Sequence, residues 1–96
     1  MRVMARITIN TEAGNRAISD GTITKVMGQV QEQWKPEAMY FTLYDSKRTT
    51  YMVFDLQDPA DLPTFAEPLF QNLDAELEVS PAMDVQDLQR GLAKLS

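Results

Sequence analysis

Alternation comes first along this chain. In MRVMARITIN, Val3, Ala5, Ile7 and Ile9 fall on one side of an extended strand, and Arg2, Met4, Arg6 and Thr8 on the other, because successive strand side chains point to opposite faces. The first strand is therefore read from Arg2 to Ile9. The period then lengthens. Ala13, Ala17, Ile18, Ile23, Met27, Val30 and Trp34 recur at helical spacing behind a cap at Asn10 or Thr11. Ser19-Asp20-Gly21 interrupts with three turn-forming residues. The apolar face stays aligned through Gly21, so one continuous helix over 12–34 is expected in preference to two, with Gly21 packed closely on the sheet. Pro36 ends the helix.

Alternation returns from Ala38 to Tyr44, with Met39, Phe41 and Leu43 opposite Tyr40, Thr42 and Tyr44. A polar turn over 45–48 leads into a third strand over Thr49–Leu56, which predicts an antiparallel hairpin. There Met52, Phe54 and Leu56 alternate with Tyr51, Val53 and Asp55. Asp58-Pro59-Ala60-Asp61 is a helix-start signal. The stripe Leu62, Phe65, Ala66, Leu69, Phe70 and Leu73 follows, and Pro68 inside it predicts a bend over the sheet. A fourth strand spans Ala75–Ser80. Asp84 then caps a last helix with Val85, Leu88, Leu92 and Leu95 on one face.

The order β-α-β-β-α-β plus a C-terminal helix predicts an α+β, ferredoxin-like arrangement in a single domain over 1–96. Right-handed crossovers put both long helices on one face of a four-stranded antiparallel sheet. Strands one and three lie inside, with strand four beside one and strand two beside three. The other face stays bare and carries Met4, Arg6, Thr8, Tyr40, Thr42, Tyr44, Tyr51, Val53, Asp55, Glu76, Glu78 and Ser80. A mixed aromatic and charged face of this kind marks an interface or a binding site.

Composition narrows the chemistry. The 96 residues contain no cysteine and no histidine, which removes disulfides, thiolate chemistry and the commonest neutral-pH base and metal ligand. Acid–base work would fall to carboxylates, tyrosines or lysines. The net charge is −5, and the basic residues are scattered, so neither nucleic acid nor a membrane is an expected partner. No apolar run reaches the roughly 20 residues of a membrane span. A bacterial-type cytoplasmic protein is the expectation.

Individual residues stay open to two readings. Arg6 either pairs with Glu76 or Glu78 across the strands or binds a carboxylate in a cleft. Arg2 reads as plain surface. The tyrosines are dimer packing or a seat for a flat aromatic ligand. Asp55, within an apolar strand, is a candidate base if burial raises its pKa. Otherwise it is a strand-end carboxylate bonded to backbone N–H groups or Arg6. Asp58, Asp61, Asp84 and Asp87 fit helix caps better than a metal site. Gly14 carries little signal of its own.

The segments TEAGN (11–15), KPEAMYF (35–41), RTTYMVFDLQDP (48–59), AEPLF (66–70) and SPAMDVQDL (80–88) resemble small uncharacterised bacterial proteins of the dimeric α+β-barrel superfamily. That resemblance implies two protomers setting their bare sheet faces together about a two-fold axis, with a cleft in each between sheet and covering helices. Relatives include cofactor-free monooxygenases, haem-degrading enzymes, isomerases and binders. Haem degradation uses a histidine, which this chain lacks. The Asn and Trp of the oxygenases find no clear match in Asn10 and Trp34.

The expected function is thus a homodimer that binds or senses a small apolar or aromatic ligand without a cofactor. Arg6, Thr8, Tyr40, Thr42, Tyr51, Asp55 and Glu78 are the expected lining of the cleft. The alternatives are a cofactor-independent oxygenase or isomerase with Asp55 as base, and a purely structural assembly module.

Overall fold

In the computed structural model, which describes residues 1–95, the alternation of the N-terminus becomes β1 (Arg2–Ile9). Helices α1 (Thr11–Ser19) and α2 (Thr22–Trp34) follow. Strands β2 (Ala38–Tyr44) and β3 (Lys47–Asp55) form a hairpin. A 3-10 turn at Pro59–Asp61 leads into α3 (Leu62–Leu73), then β4 (Ala75–Pro81) and α4 (Val85–Ala93). The four strands make one sheet in the order β2-β3-β1-β4, with every neighbouring pair antiparallel.

The odd-numbered residues of β1 build the core. Val3, Ala5, Ile7 and Ile9 are at most 2% exposed. Met52 and Phe54 from β3 join them, with Val26 and Val30 from α2 and Phe65, Leu69 and Leu73 from α3. Phe54, Phe65 and Trp34 stack on one another with ring centroids 4.7 to 5.6 Å apart. This aromatic cluster fastens the end of α2 to α3 and the sheet.

Two local expectations are corrected. Residues 12–34 form two helices, not one. Gly21 has φ +80°, outside the helical region, and nothing lies within 4 Å of where its Cβ would be. It therefore serves as a joint and does not pack on the sheet. The Asp20 side chain accepts the Thr22 N–H at 2.9 Å and opens α2. The hairpin loop is also tighter than expected. Only Asp45 and Ser46 lie between the strands, both with positive φ (54° and 62°), the signature of a two-residue turn matched to the strand twist. Lys47 and Arg48 are therefore strand residues.

Caps appear where the polar residues stood. Asn10 Oδ1 accepts the Ala13 N–H at 3.0 Å, and Asp58 accepts the Ala60 N–H at 2.9 Å. Asp84 and Asp87 form a reciprocal capping box at the start of α4. Pro68 sits inside α3. Its carbonyl accepts the Asn72 side-chain amide at 2.7 Å.

Helix α4 differs from the rest. No α4 residue is buried. Leu88 is 44% and Leu92 54% exposed, and Val85 and Leu95 more so. The molecule is correspondingly long, 54 × 27 × 18 Å, with a radius of gyration of 15.1 Å. A compact chain of this length has about 12.5 Å.

Candidate functional site

The open sheet face is assembled by register. Pairing aligns Tyr40, Tyr51, Arg6 and Glu78 in one row across all four strands. The next row holds Thr42, Thr49, Thr8 and Glu76, and the row on the other side Ala38, Val53, Met4 and Ser80. Among the described residues no helix packs over these side chains. Tyr40 is 71% exposed, and Met4 and Tyr44 nearly half.

Arg6 is the centre of this face. Its Nη2 lies 2.7 Å from Glu78 Oε1, and its guanidinium sits 4.0 Å from the centroid of the Tyr44 ring. Partial burial works against its charge, but the Tyr51 hydroxyl, Glu78 and Tyr44 outweigh that and raise its pKa. Around it Thr8, Tyr44, Asp45, Lys47, Glu76 and Glu78 line a shallow polar cavity of about 60 Å³. That is far below the few hundred Å³ of a ligand pocket. The face is a surface with an anchored cation at its centre.

Of the seven residues expected to line one cleft, Arg6, Thr8, Tyr40, Thr42, Tyr51 and Glu78 share this face in two adjacent rows. Asp55 stands apart. It faces Arg2 at the end of β3, its side chain is 61% exposed, and it lies 2.7 Å from the Met1 ammonium. That hydrogen bond holds its carboxyl below the ordinary value, with partial burial opposing and Gln57 and Arg2 assisting. A general base would need the opposite shift, and of the two readings of Asp55 the lowered carboxyl goes with the strand-end one.

Arg2 is more than plain surface. Its Nε lies 2.7 Å from Glu37, its Nη1 3.1 Å from Asp87 and its Nη2 3.6 Å from Asp84. It ties β1 to the approach to β2 and to the cap of α4.

A second cavity lies on the helix-covered side of the sheet, under α2 and against the β2–β3 edge. Its volume is about 330 Å³, within the range of small-molecule sites. Ile9, Ile23, Met27 and Phe41 make it apolar, with Thr24, Thr42, Thr49, Thr50 and Arg48 at its margins. Phe41 is 66% exposed although it points to the covered side, because α2 does not reach the β2 edge. Arg48 reaches over α1, where its Nη2 donates to Asn15 Oδ1 at 2.9 Å and its Nη1 to the Thr11 carbonyl at 3.4 Å. A Cβ on Gly14 would stand 2.6 Å from Arg48 Nη1, so this glycine makes the seat in which the guanidinium rests.

Sequence reasoning missed this cavity. Phe41 and Arg48 occupy covered-side positions, and pattern alone reads such positions as core. Gly14 three residues into a helix was the available signal, since glycine there costs helix stability and calls for a packing reason.

Among the described residues no helix is long and apolar enough to cross a membrane. No family model matches the sequence, and no curated protein matches it significantly.

Proposed function

We propose that this chain works as a homodimer that binds or senses a small molecule. In this reading the fold is ferredoxin-like, with α1 and α2 together forming the first crossover. Two protomers set their open sheet faces together about a two-fold axis, as in the dimeric α+β barrels that the sequence segments resemble. The expected site row Arg6, Tyr40, Tyr51 and Glu78 then belongs to the interface. The ligand goes to the cavity under α2, on the other side of the sheet, which such a dimer leaves accessible.

The observation that carries the dimer is surplus surface. The chain exposes 6564 Å², whereas a folded monomer of 10.9 kDa exposes about 5,600 Å². The surplus of roughly 1,000 Å² is the scale of what one partner gives to a standard interface, about 800 Å². The exposed Tyr40, Met4 and Tyr44 of the open face and the bare stripe of α4 are the surfaces that a partner would cover. The cavity favours a binder over a purely structural module, and the geometry of Asp55 gives no support to an enzyme using it as base.

Native mass measurement of the purified protein under gentle ionisation tests this. A dimer with non-covalently retained small-molecule mass is the expected result. A monomer at micromolar concentration overturns the dimer. A dimer that retains nothing and takes up no added small molecule overturns the binding role.

A further inference from the structure

We infer that the cavity under α2 takes a small amphipathic anion, a carboxylate on an apolar body, with Arg48 holding the carboxylate. This rests on the binding role proposed above and names its ligand class. Three observations carry it. The cavity wall is made of Ile9, Ile23, Met27 and Phe41, without a charged side chain among them, and asks for an apolar body. At its margin stands Arg48, half-buried, for which no carboxylate comes within ion-pair distance among the described residues.

The third observation is how Arg48 is held. Two of its N–H groups are taken up by neutral oxygens, Asn15 Oδ1 and the Thr11 carbonyl. These fix the guanidinium and leave its charge uncompensated. Arg2, Arg6 and Arg90 each pair with a carboxylate of the chain itself; Arg16, like Arg48, has none within ion-pair distance among the described residues, but it lies outside the cavity lining. A planar guanidinium with free donors matches a carboxylate in a two-point arrangement. The Gly14 seat positions it, since any larger residue would push the guanidinium aside.

Titration calorimetry of the full-length protein with octanoate, 1-octanol and octylamine tests the charge. The aromatic acid 2-naphthoate distinguishes a ring from a linear body. Octanoate should bind about tenfold or more tightly than the neutral octanol of the same chain length, since a charged hydrogen-bonded contact is worth at least that much. Octylamine should be weakest. Arg48→Gln should reduce the acid to the affinity of octanol and leave octanol unchanged. Met27→Trp should weaken acid and alcohol together by filling the cavity.

Because Arg48→Gln also releases α1, Gly14→Ala serves as the second variant. It keeps every polar group and improves helix propensity, but it displaces the guanidinium. Its Cβ would also stand 3.2 Å from Ile9 Cγ2 on the cavity wall, so it should retain the wild-type circular dichroism spectrum and lose affinity for octanoate by a larger factor than for octanol. Equal affinity for octanoate and octanol, or acid binding unmoved in both Arg48→Gln and Gly14→Ala, overturns the inference. If neither acid binds while the native dimer still carries small-molecule mass, the ligand class falls and the binding role stands.

Discussion

The two faces of the sheet are written by the same strands and could hardly differ more. On the covered face, Val3, Ala5, Ile7 and Ile9 of β1 are at most 2% exposed, and the core beneath the helices contains no ionisable side chain. One residue along, Met4 is 45% exposed and Arg6 is ion-paired with Glu78 under the ring of Tyr44. A period of two lets one strand encode a dry core and a patterned, aromatic, charged surface at once. The covered face needs only volume and shape. The open face holds Tyr40, Tyr51, Arg6 and Glu78 in one row across four strands, and this is the row that the proposed dimer would use.

The sharpest way to break this contrast is to treat the faces alike. On the covered face, Phe54→Ala removes the ring between Trp34 and Phe65 and should cost about 3–5 kcal/mol. That is most of the stability of a domain this size, read as a large fall in the urea midpoint. On the open face, Tyr40→Glu should leave protomer stability within about 1 kcal/mol. Its effect should appear in the dimer, as at least a tenfold rise in the dissociation constant by analytical ultracentrifugation. If Tyr40→Glu unfolds the protein as Phe54→Ala does, the open face is structural and the division fails.

A smaller effect belongs to α4. Its stripe touches none of the core, so Leu88→Asp with Leu92→Asp should cost the protomer only the small loss of helix propensity, under about 1 kcal/mol in all. If the stripe is covered in the dimer, the same pair should weaken dimerisation by about tenfold. An unchanged dissociation constant would assign the surplus surface to the open sheet face alone.

How much of this was legible in the sequence divides along the same line. The alternation of β1, β2 and β3 placed Arg6, Tyr40 and Tyr51 on one face, where a one-residue error would have buried Arg6 and exposed Ile7, but it left Thr49 out of that face and read Lys47 as turn. The row Tyr40–Tyr51–Arg6–Glu78 follows once strand order is known. The break at Gly21 was signalled by Ser19-Asp20-Gly21 and outweighed, because helical spacing continues through it. The role of Arg2 was hidden by distance, since Glu37, Asp84 and Asp87 lie 35 to 85 residues away. The cavity was hidden by geometry. Whether a covered-side residue such as Phe41 is actually covered depends on where α2 ends relative to the sheet edge.

The smallest effect is also the most diagnostic of which face is wet, and it concerns pH. With an apolar core, acid sensitivity must come from the carboxylates at the surface. There the Asp84 backbone N–H, with Arg90 assisting, holds the Asp87 carboxyl below its ordinary value. Asp55 is lowered by the Met1 ammonium, and Asp20, at the joint between α1 and α2, by Thr22. A carboxyl with a lowered folded pKa contributes its stability above the unfolded value and loses it as pH falls through the folded one. Stability should therefore hold from pH 7 down to the ordinary carboxylate range near about 4 and decline below it. No histidine is present to titrate on the way. Asp87→Asn should lower the plateau slightly and flatten the acid decline, because one of the groups that protonates preferentially in the unfolded chain is gone. Urea midpoints measured between pH 7 and 3 for both proteins check this. Parallel curves would mean that Asp87 is no more stabilised in the folded protein than in the unfolded chain.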